Sequence, residues 1–242
     1  MSETNKAPGL VNWIGYLAIT LLLILPLSIL TVRSGAWQQG LILYALGCFG
    51  ATLIMIVCIL LLLLPRFAPW RSAILSRALF VLPGTVLLLM LVGGRGDYPP
   101  IHDISTDLED PPVFSEAEAR RGADSNDLQL DETNFNLQRA AYPDVQTLRV
   151  SLPLEEAFAR AVKVAREMGW DIYREDLNAG VIEAVDTTAI MLFKDDVVIR
   201  LRSNAQGTLV DLRSVSRVGI GDIGANAKRI RAFSGHFEQP QE

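Results

Sequence analysis

Two kinds of residue pattern divide this chain. From Trp13 to Val32 the sequence WIGYLAITLLLILPLSILTV holds no charge over 20 positions, and LILYALGCFGATLIMIVCILLLLL, Leu41 to Leu64, repeats this over 24. At 1.5 Å per residue each run crosses a hydrocarbon core of about 30 Å as a helix, with every backbone group bonded inside the segment. A buried helix of a water-soluble protein would be shorter and would keep a polar side. A third run, ALFVLPGTVLLLMLV from Ala78 to Val92, reaches span length if it begins near Ile74 and Arg77 snorkels to the headgroups. Pro83 and Gly84 would bend it, which transmembrane helices tolerate. The pattern therefore predicts a membrane region over residues 1–95, with spans at about 13–32, 41–64 and 74–92.

Beyond Gly93 the periodicity stops. Residues 96–144 are rich in acids, include the pairs Pro99–Pro100 and Pro111–Pro112, and follow neither helical nor strand spacing. They read as an extended tether or a wrap along a domain surface, with one short helix around Ser115 to Arg121. From residue 145 to 242 regular spacing returns. VQTLRVS alternates as a strand. After Pro153 a helix is marked by Leu154, Ala157, Phe158, Ala161, Val162, Ala165 and Met168, ending at Gly169. WDIYRED, GVIEAVDTT, DDVVIRLRS and TLVDLRSVS then form strands parted by Asn and Gly turns, the signature of antiparallel hairpins. Alternation sends Val197, Ile199, Leu201, Val210 and Leu212 to one face and Arg200, Arg202, Asp211 and Arg213 to the other. A final helix, about Asp222 to Phe237, carries Ile223, Ala227, Ile230, Phe233 and Phe237 on one side. The expected fold class is α+β: a three-helix transmembrane anchor, then a soluble antiparallel sheet of about five strands covered by helices, helix-grip-like.

Composition sharpens this division. Of 242 residues 50% are hydrophobic, and the mean hydropathy is +0.28. Residues 1–95 hold six basic side chains and one acid, which leaves 16 basic and 26 acidic groups beyond them, a net charge of −10. Arg66, Arg71 and Arg77 enrich the second interhelical loop, against Arg33 in the first. The positive-inside rule then places that loop and the amino terminus in the cytoplasm and the carboxyl-terminal domain outside, which in a bacterium means spans in the inner membrane and a domain in the periplasm. The first run is too long for a signal-peptide core and is read as retained. No ionisable residue falls near the middle of a span, which disfavours transport. Gly47 and Ala51 offer a small-residue helix contact.

Candidate chemistry is sparse. Both cysteines, Cys48 and Cys58, lie in an apolar run, so the polar half has no thiol nucleophile, no disulfide and no cysteine zinc site. His102 and His236 are its only histidines, and the acids around His102 lack the order of a calcium loop. Asp195 and Asp196 are adjacent on a strand, point to opposite faces and do not act as an acid–base pair. RVGIGDIGANAKRI, residues 217–230, spells GxGxxG with Gly219, Gly221 and Gly224. A dinucleotide loop needs a parallel βαβ unit and an acid about 20 positions on, whereas 18 residues follow Gly224. The stretch reads instead as a turn, with Asp222 capping the last helix. An anion at that helix start, near Arg217 and Arg229, competes with the Asp222 carboxylate. Nucleic acid is excluded by the acidic balance and by the lack of aromatics among the basic residues. No nucleotide, metal or other cofactor is expected.

DISTDLEDPPVF (103–114), FKDDVVIRLR (193–202) and VDLRSVSRVGIGDIGANAKRI (210–230) together resemble the bacterial family called domain of unknown function 1499, over about residues 97–237. The resemblance implies a membrane-associated protein with no assigned activity. It directs attention to Asp195, Asp196, Arg200, Asp211, Arg213, Arg217, Asp222, Asn226 and Arg229. A salt-bridged ladder accounts for the strand charges without any ligand. The functional alternative is an arginine-bearing face, with Arg200, Asp211, Arg213, Arg217, Asp222, Asn226 and Arg229 as binding residues for an envelope protein or anionic lipid. Another occupant of that face would be the chain's own segment 97–144, whose net charge is −9. The enzymatic alternative is an envelope hydrolase or transferase built on Ser214, Ser216, Asp211 and Arg217, which would need a concave site at Arg217.

Overall fold

The structure, a computed structural model, describes residues 7–94, 96 and 98–239. Lys6 and Arg95, which enter the charge count, and Asp97, at the start of the acidic segment, lie outside them. Two compact units divide at Gly96 and Asp97.

The first unit is three helices, α1 (Gly9–Arg33), α2 (Trp37–Leu63) and α3 (Arg71–Gly93), with a 3₁₀ turn over Pro65–Trp70. All three are long and apolar enough to cross a membrane, with mean hydropathies of 2.3, 2.8 and 2.1. The third begins three residues before Ile74, and Pro83 lies inside it. Leu23, Leu53, Leu60, Leu63 and Leu89 stand exposed on the outside, an apolar coat that suits lipid rather than water. Arg77 reaches back along α3 and donates to the Ala73 carbonyl at 2.9 Å, the direction that takes its charge toward the helix end.

Small residues set how closely these helices approach. A Cβ on Gly84 would stand 2.7 Å from the Ala51 methyl and 3.7 Å from the Cys48 Cα, so α2 and α3 touch nearly backbone to backbone at that level. Gly47 faces Ile24 and Leu25 of α1 in the same way. Cys48 and Cys58 are buried in the bundle as free thiols.

The second unit is built on a six-stranded, wholly antiparallel sheet with strand order β1-β6-β5-β4-β3. Its elements are β1 (Asp103–Ser105), α4 (Ala117–Arg120), α5 (Glu132–Ala141), β2 (Leu148–Val150), α6 (Leu154–Glu167), β3 (Asp171–Asp176), β4 (Val181–Thr187), β5 (Lys194–Asn204), β6 (Gly207–Ser216) and α7 (Ala225–Glu238). β2 pairs with β6 through Leu148↔Val210, and β1 pairs through Ile104↔Ser214, so two short strands share one edge of β6. β1 is the strand beyond the expected five, and it comes from the segment read as tether or wrap.

The helix-covered face follows the alternation. Ile182, Val197, Ile199, Leu201, Val210 and Leu212 are buried against Ala157, Ala161 and Ala165 of α6 and Ile230, Phe233 and Phe237 of α7. Trp170 stacks on Phe233 at 5.5 Å, and Phe233 on Phe237 at 5.8 Å. Burying one such side chain contributes roughly 1.5–3 kcal/mol. This apolar layer holds α6 and α7 to the sheet.

Close packing at Gly84 has a measurable consequence. Gly84→Val should overpack the α2–α3 contact at a cost of about 1–3 kcal/mol. In a Cys58→Ala background, the rate at which maleimide alkylates Cys48 in detergent micelles should then rise above that of the unsubstituted bundle; an unchanged rate would show that the contact is not close-packed.

Candidate functional site

The face of the sheet opposite α6 and α7 is polar, and residues 103–130 lie across it. At its centre Arg213, 1% exposed, donates through Nε and Nη2 to the two Asp103 carboxylate oxygens at 3.0 and 2.7 Å. Its guanidinium also donates to the Leu128 carbonyl at 2.9 Å and lies over the Phe114 ring. A carboxylate, a carbonyl and a ring thus surround one buried cation. This is how an interior arginine offsets its desolvation.

Around this centre the signs of charge alternate between sheet and strap. Arg200 and Arg202 pair with Asp211 of β6 and with Asp107 and Asp110 of the strap, at 2.7–3.2 Å. Thr147 donates to Asp211 from the approach to β2. Where the sheet is acidic the strap brings donors. Glu183, fully buried, accepts from the backbone N–H groups of Ser115, Glu116 and Ala117 at the start of α4, from the Ser115 hydroxyl and from Arg174. Asp196, also fully buried, receives Arg217 through two bonds of 2.8 and 3.0 Å and Arg121 of the strap at 2.6 Å. Asn126 completes the wrap by donating to the carbonyls of Ser216 and Gly219.

Burial pushes Glu183 up, but the Ser115 and Glu116 donors and Arg174 outweigh it and hold the carboxyl below the ordinary carboxylate range. Asp107 is likewise raised by burial and brought down further by the N–H groups of Asp110 and Glu109 and by Arg202 and Arg200. Tyr173, which donates to Glu183 and is buried beside it and Asp196, is pushed well up.

A second network lies on the helix side. Arg229 of α7 bonds Asp186 and Asp195 at 2.6 and 2.5 Å and donates to Ser214 Oγ at 3.0 Å. Asn226 accepts from the Ser214 hydroxyl and donates to Ser216 Oγ and the His102 carbonyl. Asp222 accepts from the N–H groups of Gly224 and Asn226 at 2.8 and 2.6 Å, and burial raises its pKa.

The seven candidate binding residues are therefore divided. Arg200, Asp211, Arg213 and Arg217 stand on the strap face, while Asp222, Asn226 and Arg229 stand on the helix side, and all seven bond partners within the chain. Asp195 and Asp196 serve opposite faces. Asp222 occupies the N–H groups that an anion at the start of α7 would need. Gly219 and Gly224 have φ of +95° and +76°, and a Cβ on Gly224 would meet the Tyr98 ring at 2.6 Å. The glycine spacing thus serves a turn and a close approach within an antiparallel sheet. Asp103, Asp107, Asp110, Arg121 and Glu183 were not anticipated as partners. Their signal is charge complementarity across about 65 to 110 residues. Gln138, whose amide bonds both the N–H and C=O of Ser105, gave no signal.

Concave surface forms at the split edge. Between β1 and β2 a cleft of about 530 Å³ is walled by Thr106, Asp107 and Glu109 on one side and by Gln138, Arg139, Gln146 and Arg149 on the other. Arg139 pairs with Glu109, whereas Arg149 is exposed and has no ion-pair partner among the described residues. Neither this cleft nor a second one between β2 and α7 is lined by Ser214, Ser216, Asp211 or Arg217.

Together these features define a class: an α+β unit whose antiparallel sheet is covered on both faces, following three candidate membrane-spanning helices. The chain belongs to the DUF1499 family, described as protein of unknown function, whose family model matches residues 103–237. That match takes in the strap as well as the sheet. No curated protein matches the chain.

The lowered carboxylates set the direction of a pH effect. Because Glu183 and Asp107 titrate lower in the folded unit than in the open chain, their stabilisation is complete above the ordinary carboxylate range, near pH 4, and is lost as pH falls through their folded values. Through these two groups the unfolding temperature of the full chain should fall below about pH 4, while Asp222, whose carboxyl burial raises, acts with the opposite sign as pH falls toward that range. Glu183→Gln should cost about 3 kcal/mol at pH 7 and shrink that acid-side fall; an unchanged slope would remove Glu183 from the account.

Proposed function

We propose that the protein is a non-enzymatic binding module of the bacterial envelope, held in the inner membrane by its three helices with the sheet unit in the periplasm. Its ligand is a polar envelope component, a partner segment or headgroup with charged groups, held in the cleft between β1 and β2. The observation that carries this reading is where free polar surface is found. Arginines on the sheet face are engaged by the strap, and the cleft still presents Arg149 together with Gln146 and Arg139. Asp107 is already engaged by Arg200 and Arg202, so the charges the cleft offers are those of Arg149 and of the exposed Glu109–Arg139 pair, which suit a ligand that bears charged groups.

An enzymatic reading has less support. Ser214 and Ser216 are held by Asn226 and Arg229, and among the described residues neither hydroxyl bonds a histidine ring or a carboxylate. Asp211 and Arg217 are bound within ion pairs. The concave site at Arg217 that a hydrolase or transferase would need is not among the clefts described above.

Two measurements test the proposal. Native mass spectrometry of the full chain released from detergent should show an adduct of fixed mass on the wild type that Arg149→Glu loses; identical spectra would remove the cleft from the function. For orientation, Cys48→Ala/Cys58→Ala chains carrying Lys228→Cys should react with a membrane-impermeant maleimide on intact cells. Ser72→Cys should react only after permeabilisation, and the reverse pattern would invert the topology.

A further inference from the structure

At one end of the sheet the loops present aliphatic side chains to the outside. The β4–β5 connection carries Ile190 and Leu192, and the β6–α7 connection carries Ile220 and Ile223; Ile220 is 83% exposed and Ile190 63%. The two connections are neighbours, since the Arg217 N–H donates to the Lys194 carbonyl at 3.0 Å where β5 begins and β6 ends. At the other end the turns are LNAG (177–180) and NAQG (204–207), with a single exposed leucine, Leu177. Scattered exposed aliphatics need no explanation, but four on adjoining loops form a patch.

Two of the four are held out against backbone preference. Leu192 has φ of +57° and the β-branched Ile223 has φ of +53°, a region in which L residues, β-branched ones above all, are rare and strained. Strain that keeps an apolar side chain in solvent is retained where that side chain has something to meet.

Chain connectivity identifies what it meets. The segment leading to β1 runs through this same end: the Asp222 N–H donates to the Ile101 carbonyl at 3.1 Å, His102 Nδ1 stands 3.3 Å from the Ile220 carbonyl, and Tyr98 lies against Gly224. Tyr98 is five residues beyond Gly93, the last residue of α3. Five extended residues reach at most about 18 Å. The loop end of the sheet unit is thus the end tied, by a very short length of chain, to an apolar helix that ends at a membrane surface. Tyr98 and Lys194, both exposed at this end, are of the types that favour the membrane–water boundary. A second copy of the chain fits less well, because a stable interface takes about 800 Å² per partner, more than four loop side chains supply.

We propose that Ile190, Leu192, Ile220 and Ile223 form a lipid-contacting edge that inserts into the headgroup region of the bilayer. The inference rests on the reading that α1, α2 and α3 lie in a bilayer, and is independent of what the cleft binds.

Site-directed spin labelling of the full chain tests it, in a Cys48→Ala/Cys58→Ala background reconstituted into liposomes of phosphatidylethanolamine and phosphatidylglycerol. Nitroxides are attached singly at Ile190→Cys and Ile220→Cys, with Gln206→Cys as the aqueous reference and Leu53→Cys as the span reference. All four positions are exposed, so the label displaces no core contact. The ratio of oxygen access to access by a water-soluble nickel chelate should rise at 190 and 220 from the Gln206 value toward the Leu53 value. Readings at 190 and 220 equal to that at 206, with Leu53 lipid-buried, would overturn the insertion while leaving the anchor intact. Mutual dipolar broadening between labels at 220 without oxygen access would put a second copy over the patch and overturn it in that way. An aqueous reading at Leu53 would overturn the anchor and the insertion together.

Discussion

Arg213 sits in the middle of a sheet face with its charge almost wholly removed from water, and the second unit is organised around neutralising that charge and its neighbours. Glu183, Asp196 and Asp211 share the face and are fully buried. A layer that took these ions out of water without pairing them would cost several kcal/mol for each, so whatever covers this face must supply opposite charge or donors at each point. Residues 103–130 are that cover. They bring Asp103 to Arg213, Asp107 and Asp110 to the Arg200–Arg202 pair, Arg121 to Asp196 and a row of N–H groups to Glu183. The strap is thereby fixed in register without an apolar core of its own.

A sheet covered on both sides has consequences for function. The charged strand positions that most invite a ligand are occupied by the protein itself, and the Arg229–Asn226–Ser214 network on the helix side is equally closed. Concave polar surface lies at the edge where β1 and β2 part, and exposed aliphatic loops stand at one end of the sheet. Both lie at the boundaries of the fold. The cleft is polar and mixed in charge, whereas the loop tips are aliphatic. The two surfaces differ in chemistry, and the partners proposed for them rest on that difference.

Much of this was legible in the sequence because it depends on local periodicity. The uncharged runs before Gly93 marked the three long apolar helices by length. The 3.6-residue spacing from Leu154 to Met168 gave α6, and strict alternation in β5 and β6 separated Val197, Ile199 and Leu201 from Arg200 and Arg202. Asp222 does accept N–H bonds at the entry to α7, but the helix begins at Ala225 with the left-handed Gly224 at its N-cap, three residues later than the spacing suggests, and Ile223, read as part of the buried stripe, is left exposed in the turn before it. The strap was harder to read because nothing local defines it: β1 is three residues long, its neighbours are prolines and acids, and its pairing partner is about 110 positions away. Only the opposition of charge between segment 97–144 and the arginine face pointed to the contact. The cleft was invisible, since it arises from a gap between two short strands that no single stretch encodes.

Native-state hydrogen exchange of the full chain bears most directly on the claim that the strap is an integral layer. The amides to compare are Thr106, Ala117 and Asn126, which donate to Leu212, Glu183 and Arg217, and those of the β5–β6 ladder. If the strap is an integral layer, its amides should exchange with the same opening free energy as the ladder, because releasing it breaks the ion pairs and N–H bonds that Arg213 and Glu183 make with it. Strap amides that exchange orders of magnitude faster while the ladder stays protected would show that the face stands without its cover, and would contradict the account.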